Sequence, residues 1–260
     1  MSSVTARIKM VKQPRGGYLK VSSMSKLCFD DGLTLSYNEN IHSSIVGMTV
    51  DYLTRYFMGS ALCDAFRTSL LGARSANIRG QNGALAEACK YLGGITGDDA
   101  QSIINACKLT SFDVWFRAPS NAEKYRIAKE INPDSDTIRN IQIMVDRCLD
   151  FWDSHGPIVE DGFSFYPCGY TSLVSVGDGD YLTKDTIWDL KVLKTAPKSK
   201  HTLQLLMYWI MGQHSKNPEF KEVSTIGIFN PRFNIAYTYD MTHYPPDLIQ
   251  EVEHKIIGYA

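Results

Sequence analysis

The sequence predicts a mixed α/β protein, with a mainly helical N-terminal half and a β-rich C-terminal part. Three observations predict it. Apolar residues recur at helical spacing from His42 onward, and at Gly156-Pro157 the pattern changes to short β-branched and aromatic runs. Among those runs stands His201-Thr-Leu-Gln-Leu-Leu-Met-Tyr-Trp-Ile-Met211, apolar nearly all round, as a helix buried on a sheet would be.

Taken in order, residues 1–26 are polar and basic around Gly16-Gly17, and a short strand or arm is expected before that break and a loop after it. Their cations either meet phosphates or solvate a terminus. Residues 42–72 read as two helices parted at Gly59-Ser60, with Ile45, Val46, Tyr52, Leu53, Tyr56 and Phe57 on the apolar side. A loop over 74–80 precedes helices over 83–91 and 98–107. Residues 110–117, with Val114-Trp115-Phe116, read as a strand. Helices over 122–131 and 135–152 are separated by Asn132-Pro133. Strands follow between 158 and 192, the buried helix comes next, then strands over 223–229 and 235–239 around the turn Asn230-Pro-Arg-Phe233. A last helix covers 247–257.

The chain of 260 residues is 44% hydrophobic, enough for a sizeable core. One domain, 1–260, is expected, with residues 43–155 as a mainly helical elaboration and 156–260 as the β-rich core. The net charge of −1 gives no global attraction for nucleic acid, so DNA binding needs a local basic surface. Six scattered cysteines form no C-x-x-C pair, and no apolar run has transmembrane length. A cytoplasmic protein with free thiols and no membrane partner is expected.

The stretch with chemistry in it is Gly177-Asp-Gly-Asp-Tyr-Leu-Thr-Lys-Asp-Thr-Ile-Trp-Asp-Leu-Lys-Val192, read as a β-hairpin reversing at Thr183-Lys184-Asp185-Thr186. Pairing Leu182 with Ile187 sets Asp180 opposite Asp189 and Asp178 opposite Lys191, while Trp188, Leu190 and Val192 take the other face. Facing carboxylates repel unless a cation lies between them, and oxygen ligands suit Mg²⁺ or Mn²⁺. Lys191 points the same way and can hold a water there, an outfit for phosphodiester hydrolysis. An exposed, merely solvated hairpin is the other reading. Gln204 and Tyr208, with His201, form the one polar stripe of the buried helix and need partners such as that site.

Gly177-x-x-Asp180, Asp189-x-Lys191 and Gln204-x-x-x-Tyr208 together resemble the signature of the PD-(D/E)XK nuclease superfamily, in its RecB-like branch. The likeness covers roughly residues 158–240. It implies a restriction-endonuclease-like core, a mixed β-sheet flanked by helices, and a metal-dependent deoxyribonuclease of exonuclease or recombination and repair type. Asp180, Asp189 and the Leu190 carbonyl would ligate Mg²⁺ or Mn²⁺, Lys191 would orient the water, and Gln204 and Tyr208 would support the site or touch DNA. Where relatives place a histidine in Gly-x-x-x-His, this chain has Asp51 in Gly47-Met-Thr-Val-Asp51, a further metal ligand by that likeness, with Glu87 next in line. Relatives also carry a glutamate at the place of Glu160. Lys194, Lys198 and Lys200 either hold the DNA backbone beside the metal or solvate a loop. No helicase motif is present, so a helicase or recombination partner would be a separate chain. The rival reading is a non-catalytic nucleic-acid- or partner-binding protein that keeps the fold.

Overall fold

A computed structural model describes the whole chain except residues 1, 125 and 126, with the backbone alone at 123 and 124. It is a mixed α/β protein, and among the described residues no helix is long and apolar enough to cross a membrane. Two compact units divide it: residues 1–30 with 151–260, and residues 31–150.

The first unit is built on a six-stranded sheet. Its strands are β1 (Ser25–Cys28), β2 (Ile158–Asp161), β3 (Tyr181–Thr183), β4 (Thr186–Leu190), β5 (Thr225–Asn230) and β6 (Ile235–Asp240), in spatial order β1-β6-β5-β4-β3-β2. All neighbours are antiparallel except β4 and β5, which run parallel and therefore need a crossover. The helix Ser199–His214 makes that crossover. Strands from 158 onward, the buried helix, β5, β6 and a C-terminal helix follow the expected order.

Alternation across the strands divides the core. Leu182, Ile187, Ile226 and Ile228 face the crossover helix and pack with its Leu203, Leu206, Met207 and Ile210, all 0% exposed. On the opposite face Trp188 meets Phe151 edge-on at 5.0 Å, and Phe151 stacks on Phe229 at 3.9 Å. A helix nearly apolar all round fits a position covered on most sides: ten of its residues are buried.

Two expectations for the N-terminal segment are reversed. The arm before Gly16-Gly17 is a helix, α1 (Val4–Met10), capped by Ser3, whose hydroxyl accepts the Ala6 N–H at 3.1 Å. The expected loop after it contains β1, whose four residues are all exposed. An edge strand exposed along its whole length has no alternating pattern to read, and Lys26 on it is the kind of charge that blunts an edge.

The second unit is helical: α2 (Ser43–Phe57), α3 (Leu62–Ala65), α4 (Arg67–Ile78), α5 (Ala84–Gly93), α6 (Ala100–Thr110), α7 (Asp113–Arg117) and most of α8 (Ser135–His155). Of the loop expected over 74–80, residues 74–78 are the last part of α4 and residues 79–80 a turn. The strand expected over 110–117 is instead the end of α6 and the short helix α7, because tertiary packing overrides the β-propensity of Val114-Trp115-Phe116. Gly72 of α4 lets the Phe112 carbonyl approach so closely that a Cβ there would stand 2.1 Å from it, which packs α7 onto α4. Asp113, 1% exposed, accepts hydrogen bonds from Ser69 at 2.5 Å and Tyr52 at 2.6 Å, and burial raises its carboxyl pKa. The helix expected over 122–131 is present only as short 3-10 turns, Pro119–Lys124 and Ala128–Glu130, and its middle lies outside the described residues.

The crossover helix Ser199–His214 is α9. The chain ends in α10 (Pro246–Glu251) and one π-helical stretch, Val252–Ile257.

Candidate functional site

β3 and β4 form a hairpin in the expected register, Leu182 against Ile187 and Tyr181 against Trp188. The ladder stops there, one step short of Asp180 and Asp189. Beyond it residues 177–180 peel toward residues 162–164: Gly179 N–H donates to the Phe163 carbonyl at 2.9 Å, and the Asp180 carbonyl accepts the Gly162 N–H at 2.8 Å. Asp178 bridges to Ser164 and is exposed, so the expected pairing of Asp178 with Lys191 does not form.

Gly179 is what permits this departure. A Cβ there would lie 2.0 Å from the Phe163 ring, and Phe163 is itself 0% exposed. With the main-chain ladder ended, the Asp180 carboxylate takes over one of its bonds, accepting the Leu190 N–H at 2.9 Å through Oδ2.

Asp189 lies in the middle of the sheet, where β4 has neighbours on both sides and all five residues are buried. Its side chain is 1% exposed, with Oδ1 accepting from Lys191 Nζ at 2.6 Å. Oδ2 is buried and has no hydrogen-bond partner among the described residues. A buried carboxylate oxygen left without a donor costs about 1–3 kcal/mol or more, so this atom asks for a proton donor or a cation. Lys191, 23% exposed, connects the buried acid to solvent, and its backbone N–H is fixed by the Phe229 carbonyl at 2.9 Å.

α9 supplies the remaining wall. Gln204 Nε2 donates to the Tyr208 hydroxyl at 2.8 Å. Burial raises the Tyr208 pKa, and the negative charges of Asp189 and Asp180 raise it further, so the phenol stays protonated and keeps a proton to donate. His201 is pushed down to about 4, first by burial and then by the Lys191 charge, and is therefore a neutral imidazole at pH 7. Its Nδ1 accepts the Lys198 N–H at 3.0 Å and closes the first turn of the helix.

The structure thus gathers Asp180, Asp189, Lys191, Gln204 and Tyr208 about one end of the hairpin, with the Leu190 main chain between the two acids. Asp51 belongs to the other unit, on α2, where it pairs with Arg55 at 3.0 Å. Glu87 on α5 of that unit accepts from Tyr91 at 2.6 Å. Glu160, opposite Leu182 on β2, is raised in pKa by burial and then by Glu219 beside it. Among the described residues no three His, Cys, Asp or Glu side chains form a ready metal cage.

Lys194, Lys198 and Lys200 are exposed on the segment between β4 and α9. Asn230, 1% exposed, holds that segment in place: its Nδ2 donates to the Leu193 carbonyl at 3.0 Å and its Oδ1 accepts the Leu193 N–H at 3.3 Å. Sequence reading placed Asn230 only in a turn. The signal was a polar amide ending an apolar strand run directly before Pro231.

No family model, curated protein or solved structure matches the chain.

Proposed function

We propose that the chain is a metal-dependent deoxyribonuclease, with the restriction-endonuclease-like core and the ordered motifs of the RecB-like branch of the PD-(D/E)XK superfamily. The observation that carries the reading is Asp189, a carboxylate buried in strand β4 with one oxygen on Lys191 and the other unpartnered among the described residues. That orphaned oxygen, with a second carboxylate on Asp180 and the carbonyl of Leu190, is a donor set of hard oxygens suited to Mg²⁺ or Mn²⁺. When bound, such an ion supplies Lewis-acid stabilisation of charge developing on a phosphoryl oxygen.

The chain's own residues do the rest. Lys191, tethered to Asp189 and partly open to solvent, holds the attacking water in line and offers positive charge to the phosphate. Tyr208, kept protonated, and Gln204 give hydrogen bonds to a phosphate oxygen or to the carboxylates. Lys194, Lys198 and Lys200 take adjoining phosphates without reading sequence. The substrate is DNA, the role that of an exonuclease or a recombination and repair nuclease, and any helicase or recombination partner a separate chain.

The test is cleavage of linear and circular DNA with Mg²⁺, with Mn²⁺ and with chelator. Metal-dependent cutting that the chelator stops supports the reading. A parent protein that binds DNA but cuts none with either ion sinks it in favour of a non-catalytic binding protein with this fold.

A further inference from the structure

The N-terminal segment 12–20 is not used by the reading above, yet its placement connects it to the site. Residues 1–29 contain no Asp or Glu and carry Arg7, Lys9, Lys12, Arg15, Lys20 and Lys26; residues 190–218 contain none either and carry Lys191, Lys194, Lys198, Lys200 and Lys216. In a chain of net charge −1 these two acid-free stretches are where cations concentrate. The fold brings them together. Gly17, with φ of 90°, lies so close to the first residue of α9 that a Cβ there would stand 2.6 Å from the Ser199 Cβ. Two residues later the Leu19 carbonyl accepts from the Thr202 hydroxyl at 2.6 Å. Arg15 and Lys20 flank the first contact on one side, and Lys198 and Lys200 flank it on the other.

The segment is held in place rather than left as a solvated terminus. Leu19 is 2% exposed, the Tyr18 carbonyl accepts from Tyr244 at 3.0 Å, and the Tyr18 hydroxyl donates to Glu251 at 3.3 Å. Lys12, Arg15 and Lys20 nevertheless remain exposed. Arg7 differs from them: its guanidinium is spent on the carbonyls of Ile256 and Lys255, both at 2.8 Å. A pre-ordered row of exposed cations binds a polyanion with little ordering cost.

Resting on the nuclease reading, we propose that Lys12, Arg15 and Lys20 continue the strip begun by Lys194, Lys198 and Lys200 into one phosphate-binding track. Its partner is the backbone of a nucleic acid, which it leads to the Asp189 and Lys191 end of the hairpin. Two patches meeting at Ser199 lengthen the contact by several phosphates, as a processive or end-directed nuclease needs.

The test compares the triple variant K12A/R15A/K20A with K26A/K184A/K216A, which removes the same charge from exposed lysines that are not assigned to the track, two of them in the same acid-free stretches. Fluorescence anisotropy of a labelled 30-mer, duplex and single-stranded, over a salt series gives the slope of log affinity against log salt. The arm variant should lose about 2–3 units of slope, at 0.7–0.9 per phosphate contact, and the control variant none. Thermal melts keep misfolded variants out of the comparison. Equal slopes for the parent and the arm variant overturn the track, as does an equal loss in both variants, which would reflect net charge alone. Loss of binding to phosphatidylserine vesicles with an unchanged DNA slope overturns it in favour of a membrane surface. A parent that cuts DNA while the arm variant keeps its slope refutes the track and spares the nuclease; a parent that binds along the track without cutting refutes the nuclease and spares the track.

Discussion

The Asp180 carboxylate accepts the backbone N–H of Leu190 at 2.9 Å, so a side chain of β3's approach stands where a main-chain carbonyl would continue the ladder. The two arms part at that point, and Asp180 on one arm and Asp189 on the other both lie close enough to Tyr208 of α9 for their charges to raise its pKa. On the proposed reading Asp180 therefore has two roles, holding Leu190 and ligating the metal, that substitution separates. Asp180→Asn keeps an acceptor for Leu190 and should melt near the parent, while losing the metal-induced rise in Tm. Asp180→Ala should lose both, at an added cost of about 1–3 kcal/mol for the unpaired N–H. Melts with and without Mn²⁺ check it, and an alanine variant as stable as the asparagine one contradicts it.

Asp189 and Lys191 should fail in different ways. If Asp189 ligates the proposed metal, Asp189→Ala removes that carboxylate, and calorimetric metal affinity and DNA cleavage should fall together. Lys191→Ala leaves both acids and removes a competing cation, so metal binding holds or tightens while cleavage falls by at least about 100-fold, the usual scale for a positioned catalytic group. Parental cleavage by Lys191→Ala would mean the lysine has no part in turnover.

Gly179→Ala tests the local fold without touching a charge. Its Cβ would stand 2.0 Å from a fully buried phenylalanine ring that cannot rotate away, so overpacking should cost about 1–3 kcal/mol. Because Gly179 joins Asp178 to Asp180, metal affinity should drop as well. Chemical denaturation and metal titration on one preparation measure both.

In the helical unit, Arg147 holds Asp31 with bonds of 2.6 and 2.9 Å. The hydrogen bonds from Arg147 bring the Asp31 carboxyl down to about 2, against about 3.9 in an unfolded chain. Between those values the folded state binds fewer protons than the unfolded one. The stabilisation is thus complete above about pH 4 and disappears as pH falls toward 2. Arg147→Met should return the carboxyl toward its ordinary value and flatten that slope, as read from Asp31 carboxyl NMR shifts and urea melts over this range. An unmoved titration curve would show that Arg147 is not the cause.

What could be read from the sequence follows from how strongly each segment's environment imposes a pattern. A two-residue turn between alternating runs fixed the pairing of Leu182 with Ile187, since a one-residue slip would expose Trp188. α9 was legible because burial on most sides leaves a single polar stripe. β1 was not, since its exposed residues carry no alternation. α7 was misread because Val114-Trp115-Phe116 carries the β-propensity of a strand, while the segment is helical against α4 and leaves Phe116 exposed. In the site, the residue types and their order were visible, but the early end of the ladder was not: it depends on Phe163 pressing against Gly179, a contact between segments whose relation no local pattern encodes.

β1 pairs with β6, so residues near the start of the chain find their sheet partner only near its end. During synthesis the whole of 31–150 leaves the ribosome before β6 does, and as a compact unit it can fold while Ser25–Cys28 still has nothing to pair with. Strand β4, which carries Asp189, emerges later, and its parallel neighbour β5 later still, after α9. Translation therefore delivers the basic segment of residues 7–26 long before the acidic hairpin, and the sheet that holds Asp189 cannot close until Ile235–Asp240 has followed.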